Sequence, residues 1–511
     1  MGDAKSPSET SKSGLTAAIR FARREPGRVL GLMLGLHVFL WTLIPILVCP
    51  NLQLDLAEDL ALGKEWQLGY WKHPPLPWWL ADAVYRLTGQ IDAVYVLGPL
   101  AAALCLLAVW LLAREVLDPF SGLIAVVVLE GLHFYNFSVV KFAHDQMQLP
   151  FWAFTGLFFY RAVKRGAPRD WIIAGILLAG AFWSKYAAFV LAATLGLFLI
   201  ADPVARRAWR TPGPYLMAAA FSIVIAPNFW WVWHHDFLPF QYVEARARRA
   251  RHWYQYASYP LQWIGSQTYF LLPSAGVLAL LYSGAKLEPR DQSESAAFDR
   301  RYVTFLALGP FLLTTLAALV TGRFAVAMWG YPLWSYAPLA LLMWFRPVAE
   351  LPTLWRVAAA AIAVFVAFPV LYTAIEIGEP FLRDRPKATQ FNGRLLADTV
   401  TAAWRARYAT PLTYVGGSEF AANNVAVYSP DRPHVIVHGE LKLSPWIDPA
   451  ELRRHGAVLV WSEGLPGSDL DALHATFGAF EVEPPLVLPR QTWHPVRPDV
   501  ITYALVPPRP D

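Results

Sequence analysis

Long apolar segments alternate with short polar segments along the first three-quarters of the chain. Most of them approach the length of about 20 residues that a helix needs to cross the hydrocarbon core of a bilayer. The pattern predicts eleven membrane-spanning helices, at residues 29–50, 93–113, 120–139, 148–163, 170–183, 187–201, 214–233, 260–282, 302–321, 325–345 and 356–376. The predicted fold class is therefore a polytopic α-helical membrane protein.

Two of these spans lie in one apolar segment, which runs from residue 170 to 201 and is interrupted by Ser184, Lys185 and Tyr186. As one helix this segment would be about 48 Å long, at 1.5 Å per residue. The hydrocarbon core of a bilayer is only about 30 Å thick. We therefore predict two helices that turn at Lys185.

The pattern changes after residue 376, where charged residues, proline and glycine become more frequent and the long apolar segments end. Short apolar segments there alternate with helix-like ones, an order that is typical of a small α/β domain. The predicted organisation is a basic tail at 1–28, a transmembrane domain at 29–376 with its first outer loop at 51–92, and an α/β domain at 377–511.

Composition supports membrane insertion. Hydrophobic residues make up 56% of the 511 positions and charged residues only 16%, whereas soluble domains carry about 25% charged residues. The 23 Trp and 21 Tyr agree with this, because their rings favour the membrane–water boundary. Cys49 and Cys105 lie in or beside apolar segments, and they predict neither a disulfide nor a cysteine metal site.

The distribution of basic residues predicts the orientation. With the N-terminus inside, Lys and Arg gather in the inner segments, as the positive-inside rule requires. These residues are Arg20, Arg23, Arg24, Arg28, Arg114, Arg161, Lys164, Arg165, Arg169, Arg206, Arg207, Arg210, Lys286, Arg290, Arg300, Arg301, Arg346 and Arg356. Eleven spans then place the N-terminal tail in the cytoplasm and the C-terminal domain in the periplasm.

One outer connection, between the seventh and eighth spans, breaks this rule with Arg246, Arg248, Arg249 and Arg251. Two compatible interpretations remain open. The segment is an amphipathic helix on anionic lipid, or it is a clamp for a phosphate-bearing ligand, since guanidinium groups pair bidentately with phosphate oxygens.

The first outer loop carries the densest charge near a span, and ionisable groups in such places are functional candidates. Asp55 lies where the chain turns from apolar to polar, so that a partly desolvated carboxylate can act there as a general base. Glu58 shares one face of a predicted helix with Asp55. We expect Asp59 and Glu65 to be solvated helix residues.

Further candidates lie in other outer connections, namely Lys72, His73, Lys141, His144, Asp145 and Lys185. Asp145 is either a helix N-cap or a carboxylate that holds an acceptor or, with His144, a divalent cation; no other cofactor is expected. Lys185 either extends its ammonium to the interface or binds a phosphate. Acidic groups and cations around one outward-facing cavity suit group transfer from a lipid-linked phosphate, or transport of an anionic substrate.

Three motifs together resemble a known family. These are the segment 69–79 with the sequence GYWKHPPLPWW, the short outer loop with Asp145, and Ser-Lys-Tyr at 184–186. They are similar to the bacterial branch of the dolichyl-phosphate-mannose protein mannosyltransferases. That family belongs to the C-type glycosyltransferase superfamily and is related to lipid A aminoarabinose transferase. The resemblance covers roughly residues 29–345.

The resemblance implies a C-type glycosyltransferase fold and inverting transfer of a sugar from a polyprenyl-phosphate donor to an envelope acceptor. It places the reaction at the outer face of the bacterial inner membrane, with the bilayer and no nucleic acid as a partner. Asp55 matches the family's catalytic aspartate, and Asp145 matches its second acidic position. The expected substrate-binding residues are Glu58, Lys72, His73, Lys185, Tyr186, Arg246 and Arg249.

Two departures from the family pattern concern the first loop. Leu56 follows Asp55 where many relatives have Glu, and His73 precedes the two prolines where relatives often have Lys. A transporter or flippase of a lipid-linked anion is the alternative function. The absence of an internal repeat in the sequence, and the concentration of charge at one face, argue against it. A receptor anchored by its spans ranks last.

Overall fold

The computed structural model describes residues 7–246, 248–384, 387–462, 467–478 and 480–509. As far as residue 382 the chain is almost entirely helical, because a backbone in lipid must satisfy its hydrogen bonds internally. The helices of this part are α1 (Pro7–Arg24), α2 (Pro26–Val48), α3 (Leu54–Gly63), α4 (Leu76–Thr88), α5 (Leu97–Val116), α6 (Pro119–Glu130), α7 (His144–Arg165), α8 (Pro168–Ser184), α9 (Phe189–Ala201), α10 (Gly213–His234), α11 (Leu238–Arg246), α12 (Gln255–Ser283), α13 (Glu294–Thr321), α14 (Ala337–Phe345) and α15 (Leu351–Leu382).

Six helical segments in the described residues are long and apolar enough to cross a membrane, so the protein is a multi-pass membrane protein. They are Pro26–Val48, Ile91–Val116, Gly213–His234, Gln255–Ser283, Glu294–Thr321 and Leu351–Leu382. The other five predicted spans coincide with the shorter or less apolar helices α6, α7, α8, α9 and α14. Of these, α7 packs against both α5 and α8, inside the helical body.

Two predicted spans are shorter than the apolar pattern indicates. The span predicted at 120–139 ends as α6 at Glu130, because the Asn136 side chain donates a hydrogen bond to the Glu130 carbonyl at the helix end. Such a bond satisfies a carbonyl that the helix leaves free. The span predicted at 325–345 is a short 3-10 helix at Ala327–Gly330 and becomes α-helical only from Ala337, since Pro332 disfavours an α-helix through its preceding residue.

The predicted turn at Lys185 is present. Helix α8 ends at Ser184, Lys185 has an extended backbone with φ −162° and ψ 136°, and α9 begins at Phe189.

The N-terminal segment contains more structure than a tail, because α1 precedes the first span. Between the first and third predicted spans, the buried His37 and Glu130 side chains approach to 2.7 Å. Each gives the other a polar partner in an apolar setting.

After residue 387 the chain forms a sheet flanked by helices. The strands are β3 (Tyr414–Gly417), β4 (His434–Val437), β5 (Ala457–Ser462), β6 (Glu481–Val482), β7 (Leu486–Leu488) and β8 (Asp499–Val506). A separate pair, β1 (Ala285–Leu287) and β2 (Pro347–Ala349), is antiparallel and lies among the membrane helices. The helices of the C-terminal region are α16 (Gly393–Tyr408), α17 (Glu419–Tyr428), α18 (Pro449–His455) and α19 (Gly467–Phe477).

The sheet has the order β4-β3-β5-β8-β6, and β7 also pairs with β8. Strands β4, β3 and β5 are parallel, and β8 runs antiparallel to β5. In open sheets of this kind ligands bind beyond the carboxyl ends of the parallel strands. The chain turns from β3 into α17 at that edge, and α17 packs directly against α3 of the first outer loop.

A close approach of α3 and α4 yields a stability test. A Cβ atom added at Gly63 would lie 2.1 Å from the Trp78 carbonyl oxygen. We therefore expect Gly63→Ala to lower the free energy of unfolding by about 1–3 kcal/mol, as overpacking does. Gly35→Ala is the matched control, because an added Cβ there meets no atom within 4 Å. Thermal unfolding in detergent measures both, and equal midpoints would contradict the packing argument.

Candidate active site

Helix α3 is held at both ends by the C-terminal region. Before it, the Leu52 N–H donates to the Tyr428 hydroxyl at 2.9 Å. After it, Lys64 Nζ donates to the Pro433 carbonyl at 2.6 Å. Leu56 and Leu60 are fully buried, so the helix is clamped on its apolar side as well. This fixes the direction in which the polar side chains of α3 point.

Asp55 lies in the first turn of α3 and is partly buried. Burial raises the pKa of Asp55 above its ordinary value, and the nearby carboxylates of Asp145 and Glu419 raise it further. The ammonium groups of Lys72 and Lys141 act in the opposite direction. The structure therefore brings the carboxylates of Asp145 and of Glu419, which belongs to the C-terminal region, close enough to interact electrostatically with Asp55.

Lys72 is the centre of an ion-paired cluster. Its Nζ donates to a Glu58 carboxylate oxygen at 2.6 Å and to a Glu419 carboxylate oxygen at 2.8 Å. Burial alone would lower the pKa of Lys72, but the two carboxylates outweigh this effect and raise it. Lys72 therefore stays charged. Because Glu419 begins α17, the pair also joins the first outer loop to the C-terminal sheet.

The expectation that Asp59 and Glu65 are solvated is wrong, and Glu58 is buried as well. Glu58 is 6% exposed and Asp59 only 1% exposed. The Glu65 carboxylate lies 2.9 Å from His434 Nδ1 of β4. The C-terminal region and α4 together cover the face of α3 that the sequence assigns to water, with His434 beside Glu65 and Trp78 beside Asp59. Burial raises the pKa of Asp59 well above its ordinary value, with Glu58 and Asp55 adding to the shift.

Asp145 and Lys185, which the sequence presents as separate candidates, form the second ion pair of the site. The Lys185 ammonium donates to an Asp145 carboxylate oxygen at 2.6 Å, and both side chains are largely buried. Asp145 is not the helix cap, because α7 has Ala143 at its N-cap position. The extended backbone at Lys185 between α8 and α9 aims its side chain at the first turn of α7. The position of the Lys185 ammonium is therefore explained by an anionic partner and not by extension to the membrane interface.

Two histidines stack in the interior of the site. The His73 and His144 ring centroids are 4.1 Å apart, and His144 Nε2 lies 3.1 Å from the Pro74 carbonyl oxygen. Burial lowers the pKa of His73 well below its ordinary value, and His144, Lys185, Lys72 and Arg246 lower it further. His73 is therefore neutral near pH 7 and contributes hydrogen bonds rather than charge.

The suggested cation site at His144 and Asp145 gains no further ligand. Among the residues described, no three His, Cys, Asp or Glu side chains converge as a metal site. The imidazole of His144 faces a carbonyl, and the Asp145 carboxylate is engaged by Lys185.

Aromatic side chains form one wall of the site. The Trp71 ring meets Tyr242 edge to face at 4.8 Å and His438 at 5.5 Å. Tyr186 donates to the Asn228 side chain at 3.1 Å, and Asn228 in turn donates to the carbonyl of Leu68 at 2.7 Å. Through Asn228, Tyr186 therefore supports the segment that leads to Lys72. The aromatic ring of Trp71 lies beside this segment.

The arginines of the outer connection line a cavity of about 850 Å³, which Arg246, Arg248, Arg249 and Arg251 share with Glu244 and Tyr254. Arg246 ends α11 and lies over the Tyr242 ring at 5.7 Å, so it borders the aromatic wall. Arg249 and Arg323 both pair with Glu244. The cavity is strongly basic, and Arg246 also contributes to the lowered pKa of His73.

Glu419 and His438 were not found from the sequence. Both follow the carboxyl ends of parallel strands, β3 and β4, and their side chains lie 3.9 Å apart. The glycine pair before Glu419, Gly416 and Gly417, is the only local feature of the sequence that points to this residue. Gly417 has φ +109°, and an added Cβ would lie 2.0 Å from the Val460 carbonyl oxygen. Only glycine permits this close turn, which delivers Glu419 to Lys72.

Comparison with solved structures identifies the class of protein. The chain superimposes on ArnT from Cupriavidus metallidurans in the apo state with a TM-score of 0.62, at 14% sequence identity. The match covers 96% of this chain and 100% of that chain. The same protein bound to undecaprenyl phosphate gives a TM-score of 0.60 at 13% identity, over 93% of this chain and 98% of that chain. The protein therefore has the C-type glycosyltransferase membrane fold.

Sequence comparison adds two further matches. Residues 72–231 match the model of the dolichyl-phosphate-mannose-protein mannosyltransferase family. Over 215 residues the chain is 27% identical to the lipid A galacturonosyltransferase RgtD of Rhizobium johnstonii, which is 40% of this chain and 44% of that relative. The chain thus matches less than half the length of this curated relative. The resemblance to the mannosyltransferase and aminoarabinose transferase group is confirmed.

The Asp145–Lys185 pair can be tested by a double-mutant cycle. Removing either partner leaves a largely buried charge alone, so Asp145→Asn and Lys185→Met should each destabilise the protein by about 3–5 kcal/mol. The double variant should lose less than the sum of the two. The exposed pair of Lys286 and Glu350, at 3.2 Å, is the control and should show almost no coupling. Additive effects at Asp145 and Lys185, measured by unfolding in detergent, would contradict the ion pair.

Proposed function

We propose that the protein is an inverting glycosyltransferase that moves a sugar from a polyprenyl-phosphate donor to an acceptor of the cell envelope. The observation that carries the proposal is Asp55. Its carboxylate is partly buried at the start of α3, under the influence of the Lys72 and Lys141 ammonium groups, in a fold shared with ArnT. A poised carboxylate among cations suits the removal of a proton beside a departing phosphate.

The proposed reaction is a single displacement. Asp55 accepts the proton of the acceptor hydroxyl as its oxygen forms a bond to the anomeric carbon of the sugar. The bond between that carbon and the phosphate oxygen breaks, and the electron pair leaves with the polyprenyl phosphate. Attack from the opposite side inverts the anomeric carbon. Asp145, which influences the pKa of Asp55, would orient the acceptor.

The cations around Asp55 would stabilise the leaving phosphate. Lys72 and Lys185 both act on the stacked histidines, whose pKa values they lower. Neutral His73 would donate a hydrogen bond to the phosphate or to the sugar. Arg246 and Arg249 would extend the positive surface towards the arginine-lined cavity. Glu58 holds Lys72, and Tyr186 supports the loop.

We place the reaction at the periplasmic face of the bacterial inner membrane, with the N-terminus in the cytoplasm and the C-terminal sheet in the periplasm. The distribution of basic residues supports this orientation. The match to RgtD, which is named a lipid A galacturonosyltransferase, favours a glycolipid of the envelope as the acceptor. ArnT in complex with undecaprenyl phosphate favours a polyprenyl phosphate as the carrier of the sugar.

The role of Asp55 has a direct test. Asp55→Asn removes the base but keeps the size of the side chain, so we expect sugar transfer to be abolished while folding and donor binding persist. Transfer of labelled sugar from a polyprenyl-phosphate donor in proteoliposomes measures the loss. Asp398→Asn is the control, because Asp398 is exposed on α16, away from α3. Wild-type turnover of Asp55→Asn would exclude the assignment.

The pH profile tests the same residue independently. Burial raises the pKa of Asp55 above the ordinary value of about 3.9, and only the ionised carboxylate can accept the proton. The value of kcat/KM should therefore fall as the pH is lowered, with a midpoint above about 3.9. A midpoint at or below that value would show that Asp55 is not the base in this environment.

A further inference from the structure

Two carboxyl groups of the protein already contact the Lys72 ammonium. Glu58 and Glu419 accept hydrogen bonds from it at 2.6 and 2.8 Å, which uses two of its three donors. The side chain of Lys72 is only 11% exposed. A donor phosphate that approaches this ammonium would therefore meet two carboxyl groups at the same nitrogen.

The negative charge of this cluster resides mainly on Glu419. Burial raises the pKa of Glu58, even though Lys72 opposes the shift. Burial would also raise the pKa of Glu419, but Lys72 and hydrogen bonds from Lys72 and Glu58 lower it below its ordinary value. A proton shared by the two therefore stays on Glu58. Lys72 and Glu419 form the charged pair, and the cluster is close to neutral.

An incoming phosphate would add negative charge to this neutral cluster, and like charges at such distances repel strongly in a buried site. One carboxylate must then move away. Glu58 is fixed in α3, with its side chain only 8% exposed, whereas the Glu419 side chain is 28% exposed. Glu419 also has a second partner, since its other carboxylate oxygen lies 3.9 Å from His438 Nε2. Glu419 is therefore the group that can leave Lys72.

We propose that Glu419 is a positioning residue that competes with the donor phosphate for Lys72 and is exchanged for it. When the phosphate binds, Glu419 turns towards His438, and the contact between α17 and the first outer loop loosens. When the polyprenyl phosphate leaves, Glu419 returns and competes with it for Lys72. The C-terminal region thus takes part in donor binding and release. This proposal rests on the proposed function, because it assumes an anionic phosphate at Lys72.

The test is a double-mutant cycle on the binding of a polyprenyl phosphate to the full-length protein in detergent. Glu419→Gln keeps the shape of the side chain but removes the competing charge. We expect it to bind polyprenyl phosphate about fivefold or more tightly than the wild type, in the range of typical coupling between two ligands. In the Lys72→Met background the same substitution should have no effect on affinity.

Steady-state kinetics separate this role from a purely structural one. Glu419→Gln should lower the KM for the donor, and kcat should fall where release of polyprenyl phosphate limits turnover. Glu419→Asp, which keeps the charge, should bind the donor as the wild type does. Glu451→Gln is the control, because Glu451 is a partly exposed carboxylate of the same region that pairs with Arg454.

The outcomes are distinguishable. Unchanged or weaker binding by Glu419→Gln, or tightening that persists without Lys72, would overturn the exchange while leaving the glycosyltransferase proposal intact. A lower unfolding midpoint with no gain in affinity would show that Glu419 only joins the two regions, and would also overturn it. If the wild-type protein neither binds polyprenyl phosphate nor transfers sugar from it, the proposed function fails and the exchange fails with it.

Discussion

Burial of charge beside an apolar body is the constraint on which the outer face of this protein depends. An isolated charge cannot remain there without a large free-energy cost, so each lysine near Asp55 that is buried has a carboxylate partner. Lys72 binds Glu58 and Glu419, and Lys185 binds Asp145. The first set of pairs joins the Lys72 segment of the first outer loop to α3 and α17, and the second joins the turn after α8 to α7. The charge of each of these two lysines is thereby balanced by a carboxylate of this chain.

Balance of this kind suits a reaction in which an anion arrives with the donor and leaves after transfer. A site of uncompensated cations would hold the released polyprenyl phosphate too firmly. A site of carboxylates alone would repel the donor. In the observed arrangement Lys72 and Lys185 each have a carboxylate partner that would compete with a bound phosphate, and the basic cavity around Arg246 lies next to the aromatic wall. In the proposed reaction the same few contacts would set both affinity and release.

The sequence identified those parts of the site that depend on local pattern. The helix at Asp55, the turn at Lys185 and the acidic residue Asp145 follow from spacing and from the resemblance of segment 69–79. The burial of Asp59 and Glu65 does not, because their helical face looks solvated until another region covers it. Glu419 lies 347 residues beyond Lys72. The periodicity of apolar residues cannot show which distant surface packs on a helix. The glycine turn that positions Glu419 has no unique sequence signature either.

The separation between Lys72 and Glu419 has a consequence for biosynthesis. At a translation rate of about 5–20 residues per second, roughly 20–70 s pass between the synthesis of these two residues. During that interval α3 exists without α17, which packs against it in the finished protein. The nascent chain therefore leaves this side of α3 uncovered while its later membrane helices are still being inserted. Protection of that side during membrane insertion would decide how much of the protein matures.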